Sequence, residues 1–71
     1  MIMPTLKEYR EEAGLSIAQL ARMANVDFST AKKADDSRPI RRIKALAIVK
    51  AISSALGRTI PPEEIDGLQM E

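Results

Sequence analysis

The chain has 71 residues, of which 45% are hydrophobic and 30% are charged, and its formal net charge is +1. This length allows one domain, and this balance is typical of a folded helical protein. The absence of Cys and His excludes disulfides, thiolate chemistry and the usual zinc ligand sets. With one Tyr and one Phe, an aromatic platform that stacks single-stranded bases is not expected.

The first predicted helix begins after Thr5. Thr5 and Glu8 have the spacing of a capping box, and Gly14 followed by Leu15 is typical of a left-handed helix end with a hydrophobic contact. These signals predict a helix over residues 6–13. We expect residues 1–4 to be disordered.

The next stretch, SIAQLARMANVDFSTAKKA, predicts two short helices joined by a tight turn. Ser16 and Gln19 form a second capping box before a helix over 17–24, and Asp27 can cap a helix over 28–34. The residues expected to be buried are Leu20, Ala21, Met23, Ala24 and Val26. This pattern indicates a helix-turn-helix motif, whose second helix enters the DNA major groove.

The fourth predicted helix follows a polar break. Pro39 makes Arg38 an unfavourable helical residue, so the helix is expected from Arg41 to Leu56, where Gly57 ends it. Its apolar stripe is wider than one buried face requires, so either two sides are covered by the domain or one side meets a partner. Residues 59–65 predict a short last turn, and residues 69–71 are expected to be disordered.

The charges are unevenly distributed along the chain. Residues 32–58 carry eight basic and two acidic side chains, whereas residues 59–71 carry four acidic and no basic ones. The basic block begins inside the third predicted helix and continues beyond it. Such a block is what an electrostatic footprint for DNA looks like, and the alternative is a solvated face of a helical protein.

With these residues in place, the chain resembles the phage-repressor and Cro-like (Xre-like) helix-turn-helix family. The stretch LKEYREEAGLSIAQLARMANVDFSTAKKADD is similar to that family's first three helices. The stretch RPIRRIKALAIVKAISSALGRTIPPEEI is similar to the last two helices of a branch with a lengthened fourth helix. The resemblance implies an all-α, compact five-helix repressor-like domain over residues 1–71. It further implies a small DNA-binding transcription regulator, with the third helix in the major groove of double-stranded DNA.

The resemblance also assigns roles to individual residues. The side chains that it places against bases are Phe28, Ser29 and Lys33. Those expected on the DNA backbone, from the third helix, the following loop and the start of helix 4, are Thr30, Lys32, Arg38, Arg41 and Arg42. The family often pairs an arginine of helix 1 with an acidic residue after helix 3, and here Arg10 and Asp35 stand in those positions.

Other functions were weighed against this one. Without His, Cys or a glycine-rich phosphate loop, we expect no enzyme, no catalytic residue, no cofactor and no metal site. No apolar run approaches the roughly 20 residues that cross a bilayer, so no membrane partner is expected and the cytoplasm is the default location. The alternative function is a protein-interaction module, such as an adaptor or the antitoxin half of a toxin–antitoxin pair. A homodimer through the spare apolar face of helix 4 and the last turn stays open.

Overall fold

The fold is built from four α-helices: α1 (Leu6–Glu12), α2 (Ile17–Ala24), α3 (Phe28–Asp35) and α4 (Arg42–Leu56). The computed structural model describes residues 3–71, so Met1 and Ile2 of the predicted leader lie outside the described residues. The expected all-α class is confirmed. The expected fifth helix is instead one 3-10 turn, Pro62–Glu64, and residues 3–71 contain two isolated β-bridges but no strand.

The helix starts follow the local signals in the sequence. Thr5 with Glu8, and Ser16 with Gln19, form complete capping boxes at α1 and α2. The side chain of Asp27 accepts the Thr30 N–H at the start of α3. In each case a side-chain oxygen satisfies an N–H group that has no partner inside the helix. The predicted helices and the Asn25–Asp27 turn between α2 and α3 are therefore confirmed to within one residue.

The helix ends use left-handed residues. Gly14 and Gly57 adopt positive φ after α1 and α4, as the sequence predicts. After α3 the same conformation falls on Ser37, with φ of 58°. The Arg38 N–H donates to the Lys33 carbonyl at 2.8 Å, which closes the end of α3. A side chain disfavours this backbone conformation, so Ser37 is a point of local strain.

The core is centred on the contact between α2 and α4, and α1 and α3 pack against α4 and against each other. Leu6, Leu20, Ile48 and Ile52 are its largest fully buried side chains. Ile65 is buried and Leu68 is half-buried, so both help to close the core. Ile40 and Ile60 are buried although the sequence places them in loops.

The structure corrects one expectation about apolar residues and excludes one of the two alternatives left open for the stripe of α4. Met23 was expected to be buried, but it is 48% exposed because it lies on the outer face of α2. The wide stripe of α4 is not covered on two sides, because Ile43 is 76% and Leu46 40% exposed. One face of α4 is therefore left to solvent among the described residues.

Residues 69–71 were expected to be disordered, but they are ordered and pair with the segment between α3 and α4. Ile40 donates its N–H to the Gln69 carbonyl at 3.1 Å and accepts the Glu71 N–H at 2.9 Å. The Arg42 N–H donates to the main-chain O of Glu71 at 3.2 Å. Arg41, the N-cap of α4, makes no side-chain capping bond, so this segment supplies an acceptor that the helix start lacks.

A buried ion pair connects α1 to the end of α3. Arg10 Nε lies 2.7 Å from Asp35 Oδ1, and the two side chains are 13% and 4% exposed. Arg10 Nη1 also donates to the Leu15 carbonyl at 2.8 Å. The pairing expected between these two positions is confirmed, and it fixes the rotation of α3 against α1.

Candidate nucleic-acid interface

Helix α3 buries one face and exposes the other. Ala31, Ala34 and Asp35 are buried against the domain. The two alanines are fully covered because small side chains let α3 approach α2 and α4 closely. The opposite face exposes four of the five α3 residues expected to contact bases or phosphates, namely Phe28, Ser29, Lys32 and Lys33. Phe28, the first residue of α3, is 56% exposed.

The start of α3 holds a hydrogen-bonded network centred on Asp27. Its carboxylate accepts the Thr30 N–H at 3.2 Å, the Thr30 hydroxyl at 2.6 Å and the Ser29 hydroxyl. The Ser29 and Thr30 hydroxyl donors stabilise the charged carboxylate and hold the pKa of Asp27 well below its ordinary value. Lys44 Nζ of α4 lies 3.7 Å from the same carboxylate.

This network restricts two of the expected contacts. A hydroxyl has a single O–H to donate, and a phosphate oxygen only accepts. While bound to Asp27, neither Ser29 nor Thr30 can therefore donate to DNA, although each can still accept a hydrogen bond from a base amino group. The expected contact of Thr30 with a phosphate therefore requires its hydroxyl to turn away from Asp27, whereas Ser29 can accept from a base without doing so.

Lys32 is held only weakly, by an exposed ion pair with Asp36. Its Nζ lies 3.3 Å from Asp36 Oδ1 one turn away, and the two side chains are 52% and 43% exposed. Pairs this exposed contribute from nothing to about 1 kcal/mol, so Lys32 can leave Asp36 for a phosphate at little cost.

A cleft of about 350 Å³ lies between α3 and the start of α4. Lys33 of α3 and Arg41 of the loop, both expected DNA contacts, are brought together on its walls. The complete lining is Thr30, Lys33, Pro39, Ile40, Arg41, Lys44 and Glu71. Three basic residues and one acidic residue thus line a space large enough for a phosphate group.

The sequence analysis did not single out Lys44 or Glu71. Lys44 follows Arg41 by three residues, which is helical spacing, so the two were identifiable as neighbours once α4 was placed. No local sequence pattern indicates that Glu71 lies at the cleft, because its position depends on main-chain pairing with Ile40, 31 residues away. Arg38 and Arg42 are exposed outside this lining, and neither joins an ion pair within the described part of the chain.

A second, more apolar surface lies between α2 and α4. One shallow depression is lined by Ala24, Asn25, Val26, Ile43, Lys44 and Ala47. An adjoining one is lined by Met23, Ala24, Ala47, Lys50, Ala51 and Ser54. We call these two depressions together the α2–α4 face. It carries two lysines and no acidic side chain.

Residues 3–71 contain no group of three or more acidic side chains placed to hold a metal ion. No helix in this range is long and apolar enough to cross a membrane. No family model, curated protein or solved structure matches the chain.

Proposed function

We propose that the protein is a small DNA-binding transcription regulator of the repressor or Cro type. In this proposal α3 lies in the major groove, and the cleft between α3 and α4 holds a phosphate of the DNA backbone. The domain then belongs to the Xre-like class that the sequence resembles, with the 3-10 turn in place of a fifth helix.

The observation that carries the proposal is the convergence of cations beside the exposed face of α3. Lys33, Arg41 and Lys44 come from two helices and a loop, yet they line one cleft. Half or more of protein–DNA hydrogen bonds go to phosphate and sugar groups, and such contacts set the position of the reading helix. The exposed Phe28 can pack on a thymine methyl group in the major groove.

The proposal gives the remaining basic side chains defined roles. Arg38 and Arg42 flank the cleft and are exposed, which suits contacts to neighbouring phosphates. Lys32 reaches the backbone after leaving Asp36. Together with the three cleft cations these make six basic groups, so binding should fall by about a thousandfold between about 50 mM and 200 mM salt.

The test compares two pairs of substitutions that remove the same charge. Lys33→Ala/Arg41→Ala removes two cleft cations, whereas Lys7→Ala/Lys50→Ala removes two exposed lysines outside the cleft. We expect the first variant to bind a mixed duplex of two helical turns about tenfold or more weakly at low salt, with a shallower salt dependence. The control should bind nearly as the original protein does. Equal losses in both variants would contradict a phosphate site in the cleft.

The alternative function, a protein-interaction module on the same fold, is favoured by one observation. Ile43 and Met23 are 76% and 48% exposed on the α2–α4 face, and adjoining exposed apolar side chains are a feature of protein-interaction surfaces. Ile43→Ser should abolish binding to a protein partner and leave DNA binding unchanged. A homodimer through the exposed stripe of α4 belongs to the same alternative, although the buried Ile65 means that the last turn would add little to it.

A further inference from the structure

The lining of the cleft includes one residue that opposes its proposed use, the acidic Glu71. Glu71 is the single acidic residue on a lining that otherwise holds three cations. Its presence there follows from the main-chain bonds of residues 69–71 with Ile40 and Arg42. A carboxylate and a phosphate oxygen carry the same sign of charge, so they compete for the same cations.

We propose that residues 69–71 form an autoinhibitory strap at the cleft, and that the negative charge of Glu71 on its lining opposes the entry of a DNA phosphate. This inference rests on the proposed function, because it assigns the cleft to a backbone phosphate. DNA then binds in two coupled steps: Glu71 moves away from the lining of the cleft, and a phosphate enters it.

The attachment of the strap is suited to this role, because it is ordered yet weak. Three main-chain hydrogen bonds, from Ile40, Glu71 and Arg42, hold it at 2.9–3.2 Å. One side-chain bond adds to them, from Gln69 Nε2 to the Ser37 carbonyl at 2.8 Å. Gln69 and Glu71 are both exposed, and Glu71 forms no ion pair shorter than 4.0 Å within residues 3–71. Few buried contacts would therefore be lost when the strap lifts.

The strap also stabilises the start of α4 when no DNA is bound. Helix α4 begins at Arg42 without a side-chain cap and directly after the cations Arg41 and Arg38. Positive charge at a helix start opposes the helix dipole, whereas a negative group there is favourable. Glu71 supplies both an acceptor for the Arg42 N–H and a compensating charge, and a phosphate in the cleft would replace the charge.

The first experiment measures duplex binding by Glu71→Gln against the matched control Glu63→Gln. Both changes remove one negative charge, but Glu63 is exposed on the 3-10 turn and does not line the cleft. A like charge at about 4 Å in water opposes binding by a factor of roughly five. We expect Glu71→Gln to bind about fivefold more tightly at low salt, with Glu63→Gln close to the original protein. The main-chain bonds of the strap stay, so the thermal midpoint should fall only slightly, through the loss of one compensating charge near the start of α4.

A second variant separates the strap from the simple loss of charge. Gln69→Ala removes the side-chain anchor at Ser37 and leaves Glu71 in the chain. If the anchor holds Glu71 at the cleft, this change should tighten DNA binding about twofold, and it should have no effect in a Glu71→Gln background. Equal effects of Gln69→Ala in both backgrounds would overturn the strap.

The outcomes also separate this inference from the function on which it rests. If the original protein binds DNA but Glu71→Gln and Glu63→Gln bind equally well, the strap is wrong and the DNA-binding function stands. If none of the three proteins binds the duplex at low salt, both the function and the strap are wrong. Tighter binding confined to Glu71→Gln supports both.

Discussion

The ion pair between Arg10 and Asp35 gives the sharpest prediction about stability. Removing Arg10 leaves a carboxylate that is 4% exposed without its cation, and leaves the Leu15 carbonyl without a donor. Breaking one side of a buried pair costs about 3–5 kcal/mol. A chain of this length is expected to have about 4–11 kcal/mol of total stability, so Arg10→Ala should remove a large part of it.

The assay is urea unfolding followed by circular dichroism, with a matched exposed pair as the control. Arg58 and Glu12 also join two distant segments, at 3.0 Å, but their side chains are 53% and 50% exposed. Arg58→Ala should therefore cost less than about 1 kcal/mol. The double variant Arg10→Met/Asp35→Leu should recover most of the loss, because it leaves no unpaired buried charge. If Arg10→Ala and Arg58→Ala lowered the free energy of unfolding equally, the assignment of a buried structural pair would be refuted.

Two further predictions concern the ends of α3. Ser37→Gly should raise the free energy of unfolding by about 1 kcal/mol, because glycine adopts the left-handed conformation of Ser37 without strain. The thermal midpoint should rise by roughly 4–8 °C in scanning calorimetry. A lower midpoint would contradict this prediction. The lowered pKa of Asp27 adds stability that is complete above its unfolded value near 3.9 and is lost as the pH falls below it. Asp27→Asn should lack this component, so the difference in free energy of unfolding between this variant and the original protein should shrink as the pH falls. A constant difference from neutral pH to about pH 2 would show that the Asp27 carboxylate does not cause the pH dependence.

Much of the fold was predictable because its signals are local. Capping at Thr5, Ser16 and Asp27 depends on residues within one turn, and so does the end of α1 at Gly14. Helical periodicity then placed α2 and α4 nearly to the residue.

The rest depends on contacts between distant parts of the chain. Ile40 and Ile60 are buried because loops fold over the core, and no spacing within a loop indicates this. Met23 is exposed because α2 has more apolar residues than its buried face accommodates. The site was predictable as a set of basic residues. The hydrogen bonds of the Ser29 and Thr30 hydroxyls to Asp27 were not predictable, and neither was the position of Glu71 on the lining of the cleft. Both depend on where side chains lie in the folded protein.

The most direct test of the central proposal is an NMR titration of the isotopically labelled protein with a mixed-sequence duplex, first at low and then at moderate salt. The proposal predicts amide shifts clustered on residues 28–33 and 38–44, with changes at residues 69–71 as the strap lifts, and loss of all of them as salt rises. No shifts at low salt would contradict DNA binding. That result would favour the protein-interaction module instead.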